Sequence, residues 1–145
     1  MTDDLVQFLR ARLDEDYEVA RLTLGPSVMA RVRRGDPAPQ WVPSPEGDAG
    51  IWDSDGTPRV KFAWAQERNH IIRHDPARVL REVEAKRRIV ERHSPHIMGG
   101  CRTCERPHWG VQVCDHCERA APCPDLRDLA AAHADHPGYR PEWRP

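Results

Sequence analysis

Every cysteine in the chain lies between positions 101 and 123: Cys101-x2-Cys104, Cys114-x2-Cys117, and Cys123. A C-x-x-C turn delivers two thiolates to a common ion, and zinc takes four such donors in a tetrahedron. Cys101, Cys104, Cys114 and Cys117 are therefore the expected ligands of one structural zinc, in a knot resembling a zinc ribbon or treble clef. The intervening Glu105–Val113 is long enough for a short hairpin. Cys123 directly precedes Pro124, and proline favours the first position of a helix. A thiolate at that helix start gains from the dipole, which makes Cys123 the alternative ligand. His93, His96, His108 and His116 can each substitute, although a histidine beside a cysteine cluster is ordinarily a bystander.

The minor alternative is an iron–sulfur cluster, which thiolates also hold. Cys114-x2-Cys117-x5-Cys123 resembles the spacing of the WhiB-like iron–sulfur regulators. The Gly-Trp-Gly-Gly-type turn that follows the cysteines in that family is absent here. Other constellations are weaker. Asp53, Asp55 and Gly56 lack the remaining ligands of a calcium loop. His70, His74 and Asp75 with Asp135 and His136 form a second metal or acid–base set only if the fold joins them. The chain order of a His-Asn-His nuclease is not reproduced, and no glycine-rich phosphate loop, nucleophile elbow or H-E-x-x-H occurs. A closed four-ligand site offers water no open position, so these residues point to a structural metal and no enzyme.

Helices must position this knot. Leu5, Phe8, Leu9, Leu13, Tyr17, Ala20 and Leu24 recur at three- and four-residue steps, predicting an amphipathic helix over 2–24 that Gly25-Pro26 ends. Five prolines make 25–48 an irregular loop anchored by Trp41. Ile51-Trp52 and Val60-Lys61-Phe62 flank Asp55-Gly56, a hairpin signal within 49–62 whose Trp52 and Phe62 call for helical cover. The helical region 63–93 holds a short helix over 63–73 and a second from Pro76 to about His93, with Asp75 as N-cap. The knot spans 94–123; a short helix and a tail packed by Tyr139 and Trp143 complete 124–145. The expected fold is a single domain, mainly α, with a small β-hairpin and a zinc knuckle or ribbon-like knot.

Bulk composition narrows the function. The 145 residues are 39% hydrophobic and 31% charged, so the core is thin and a metal staple matters. Net charge is −1, which does not suit a chain wrapped by nucleic acid. Residues 73–92 nevertheless carry seven bases against four acids, and this basic helix keeps nucleic-acid binding as the second reading. No apolar run reaches the ~20 residues of a membrane span, and the acidic start is unlike a signal peptide. A cytoplasmic setting with reduced thiols is expected.

Three segments, Asp4–Leu13, His74–Lys86 and Ala134–Pro145, are similar to a domain-of-unknown-function family of small proteins from Streptomyces, related actinobacteria and their phages. In that family a C-x-x-C pair and a later Pro-Cys recur, at the places held here by Cys101, Cys104, Pro122 and Cys123. The resemblance implies that Cys123 ranks higher as a ligand and that Cys114 and Cys117 are less typical. It implies no activity. The expected function is a non-enzymatic, zinc-stabilised accessory protein with a protein partner.

Overall fold

The computed structural model describes residues 2–94, 114, 116–117 and 119–145. Helix α1 runs Thr2–Leu24, and the stripe predicted for it supplies five buried residues, Leu5, Leu9, Leu13, Ala20 and Leu24. Gly25 stops the helix at φ 85°, a backbone conformation that costs glycine little. Pro26 then opens helix α2, Pro26–Arg33, because its fixed φ suits a first helical position. One dipeptide is thus both a stop and a start.

The prolines of 25–48 argue for an irregular loop, yet α2 and a short strand, β1 (Trp41–Pro43), form there. Both elements take proline where it is tolerated: α2 has Pro26 at its first position and is complete before Pro37, and β1 ends on Pro43 at a sheet edge. Strands β2 (Ile51–Asp53) and β3 (Pro58–Val60) make the expected antiparallel hairpin, and β1 adds to β2 with Val42 opposite Trp52. Phe62 departs from expectation. It falls beyond the last strand residue and is 56% exposed, edge-on to Trp64, which is 69% exposed.

Helix α3 spans Ala65–Arg73 and α4 spans Pro76–His93. Asp75 caps α4 as predicted, accepting from the Arg78 N–H at 2.7 Å; its other oxygen accepts from the Trp41 N–H at 3.0 Å. One buried carboxylate thereby joins the start of α4 to β1. Helix α5 is Pro124–Ala131, and a 3-10 turn covers Pro141–Trp143. The described chain is therefore mainly helical with one small antiparallel sheet, as expected.

The residues group into two compact units, 1–15 with 84–145, and 16–83. In the first, Leu5, Leu9 and Leu13 share a core with Val90, Leu126, Ala130 and Trp143. The tail is held by an aromatic cluster in which Phe8 meets Trp143 at 5.0 Å and Tyr139 at 6.2 Å between centroids. Arg140 also pairs with Asp4 at 2.9 Å.

In the second unit, Ala20, Leu24, Met29, Ile51 and Val83 are buried. Its hairpin turn is organised by Asp53, which is 2% exposed. The carboxylate accepts from the N–H groups of Asp55 (3.1 Å) and Thr57 (2.9 Å) and from Arg59 Nε (2.7 Å). Burial works against the charge, but the Thr57 N–H, Arg59 and the Asp55 N–H outweigh it and hold the carboxyl below its ordinary 3.8. A folded-state depression stabilises the protein above the unfolded value and is lost as pH falls through the folded one. Asp53→Asn is expected to cost about 2 kcal/mol at neutral pH, measured as a lower urea midpoint. On acidification below about pH 4, the variant should lose less of its remaining stability than wild type does.

Candidate metal centre

Three pieces of chain in the first unit converge on one buried point. His93 is the last residue of α4 and is 6% exposed. Cys123 is the N-cap of α5, extended at φ −69°, ψ 161°, with Pro124 next to it in the first turn. Cys114 and Cys117 share a tight turn closed by a hydrogen bond from the Cys114 N–H to the Arg119 carbonyl at 2.9 Å. One nitrogen of His93, Nδ1, faces both Cys114 Sγ and Cys123 Sγ at 3.4 Å. The four donor atoms of His93, Cys114, Cys117 and Cys123 all lie within 4.8 Å of one another. This group could hold a metal ion.

Geometry supports the fit. Tetrahedral bonds of about 2.3 Å to sulfur and 2.0 Å to nitrogen put a sulfur roughly 3.5 Å from the nitrogen. The observed 3.4 Å separations match that edge. Electrostatics supports it as well. Burial, and then the neighbouring Cys114, push the Cys123 thiol up to about 12 against the opposing pull of the Leu126 N–H. Burial also raises the Cys114 thiol, although the N–H groups of Cys117 and His116 favour its thiolate. The same burial lowers His93, with Asp125 pulling the other way. Two of the sulfurs and the imidazole are thus held neutral at close quarters, the electrostatic setting that a divalent cation reverses by favouring thiolates. Asp125 Oδ2 stands 3.4 Å from His93 Nδ1 at the rim.

The profile of a Family of unknown function (DUF6221) matches residues 2–145. The chain belongs to DUF6221. No curated protein and no solved structure matches it. In this DUF6221 protein, Cys114, Cys117 and Cys123 come together, whereas Cys101 and Cys104 lie outside the described residues, as do His96 and His108. His116 is exposed, with its ring 4.8 Å from that of His93, and does not belong to the group. His93 entered the sequence reading only as one possible substitute. The signal that could have raised it was its position as the final residue of a capped, amphipathic helix leading into the cysteine segment.

In the remaining set, His70 and His74 have ring centroids 4.5 Å apart. Asp75 is occupied as a cap, and His136 is engaged by the Gly138 N–H at 2.9 Å and by Arg12. Because four donors are present without Cys101 and Cys104, the double variant C101S/C104S is expected to retain metal at the wild-type stoichiometry. Cys123→Ser should lose it, with both variants measured by plasma mass spectrometry after desalting.

Proposed function

We propose that this protein is a non-enzymatic, zinc-stabilised accessory protein, and that its zinc is held by His93, Cys114, Cys117 and Cys123. The observation that carries this reading is the four-donor cluster, three of whose residues are buried. Four protein ligands leave no position for water, which is the mark of a structural rather than a catalytic site. An imidazole in the set favours zinc, since iron–sulfur clusters take cysteine sets with histidine replacements confined to special cases. The zinc fastens the last turn of α4 to the first turn of α5, and through α5 it supports the tail that packs on Phe8.

A protein partner is favoured over nucleic acid. On α4, Arg78 pairs with Glu82, Arg88 with Glu84 at 2.7 Å, and Arg87 with Asp14 at 2.6 Å. These ion pairs absorb much of the basic charge that a phosphate backbone would need. The side-by-side Phe62 and Trp64, both largely exposed, are the aromatic type of residue that protein interfaces use. No described helix is long and apolar enough to cross a membrane, which suits the proposed cytoplasmic setting. The resemblance to actinobacterial and phage proteins gives the proposed biological context.

Protein purified without chelator is expected to be colourless and to contain one zinc per chain. Removing that zinc should abolish cooperative unfolding of the first unit, since structural zinc contributes on the order of 10 kcal/mol to folding. Brown protein containing iron, or metal-free protein with unchanged thermal stability, would overturn the reading. Filter binding at low and high salt should show no salt-dependent retention of nucleic acid.

A further inference from the structure

The second unit carries a pair of histidines that the zinc reading does not use. His70 lies in the last turn of α3 and His74 caps its C-terminal end, with ring centroids 4.5 Å apart and planes inclined at 39°. Both are exposed. Among the described residues, neither imidazole has a hydrogen-bond or ion-pair partner, and the two rings contact each other. Both line an open cavity of about 410 Å3 in the same unit, whose wall includes the apolar Val19, Trp41, Ile71 and Val79. The carboxylate in that lining belongs to Asp16 of α1, and it too has no partner among the described residues.

Two imidazoles four residues apart at a helix C-terminus, with ring centroids 4.5 Å apart, are close enough to chelate a single ion. Neutral imidazole is the commonest protein ligand for borderline cations such as zinc, nickel and copper. Histidine χ2 is soft, so exposed rings can turn their nitrogens toward a shared ion at little cost. A carboxylate on the same cavity adds negative charge there, which favours a cation and opposes an organic anion. The cavity falls within the size range of small-ligand pockets.

We infer that His70 and His74 form a second, open metal site for a borderline divalent cation, with Asp16 supplying the compensating charge in the same cavity. Two protein nitrogens leave coordination positions free. The cation can therefore exchange readily and can carry a small donor ligand into the apolar cavity. This distinguishes it from the closed four-ligand cluster, and it stands whether or not that cluster holds zinc.

The test uses full-length, untagged protein carrying the metal it is purified with, titrated with nickel chloride by calorimetry. Zinc released into solution is measured in the same samples. One saturable nickel equivalent without zinc release is expected for wild type, and at least tenfold weaker binding for H70A/H74A with its purified metal unchanged. D16N should weaken nickel binding by a smaller factor, and an unchanged affinity would overturn the role given to Asp16. The site is refuted by absent saturable binding, by equal affinity in wild type and H70A/H74A, or by binding that tracks zinc release. Because both histidines are exposed, the double variant is expected to keep the wild-type circular dichroism spectrum, which makes the comparison interpretable.

Discussion

Burying the thiols of Cys114 and Cys123 against the imidazole of His93 is unfavourable for every charged form they have, and the first unit is built around that constraint. Burial raises the thiols of Cys114 and Cys123 and lowers His93, so without a cation these three groups are neutral and interact weakly. A divalent ion changes the balance by converting the thiols to ligands and the crowding to bonds. The consequence reaches beyond the cluster, because its donors sit at the end of one helix and the start of another. Zinc in this position would set the start of α5, whose Leu126 and Ala130 are fully buried. A hydrophobic core as lean as this one gains more from such a bond than a larger core would.

The second unit solves its smaller problem with carboxylates. Asp75 simultaneously caps α4 and binds the β1 backbone, and Asp53 gathers the hairpin turn and Arg59. Each is nearly inaccessible to solvent, and each satisfies several donors at once. Short strands of three residues have few ladder bonds of their own, so these buried acceptors take on part of the work of holding them together. The exposed chemistry of this unit, the Phe62–Trp64 pair and the His70–His74 pair, lies on or beside α3 and is not needed to satisfy buried groups.

Much of this was legible in the chain because local rules agreed. The stripe Leu5–Leu24 and the Asp75-Pro76 start signal mark α1 and α4, and Asp55-Gly56 marks the hairpin, since each rests on neighbours within a few residues. Helix α2 was hidden because Pro26 reads equally as the end of α1 and as a beginning. Strand β1 was hidden because its partner is β2 and its cap contact is Asp75, 34 residues away. The cysteine segment announced a metal site, and Pro124 announced the place of Cys123. The part played by His93 was not legible, because it depends on the end of α4 folding against a segment 21 residues later in the chain. Within the sequence, its place as the last residue of α4 is all that sets it apart from the other histidines nearby.

An X-ray absorption spectrum at the zinc edge reads the composition of the ligand shell directly. Three sulfurs at about 2.3 Å and one nitrogen at about 2.0 Å are predicted for the wild-type protein as purified. A shell of four sulfurs with no nitrogen would contradict it, returning the site to two C-x-x-C pairs and removing His93 from the metal.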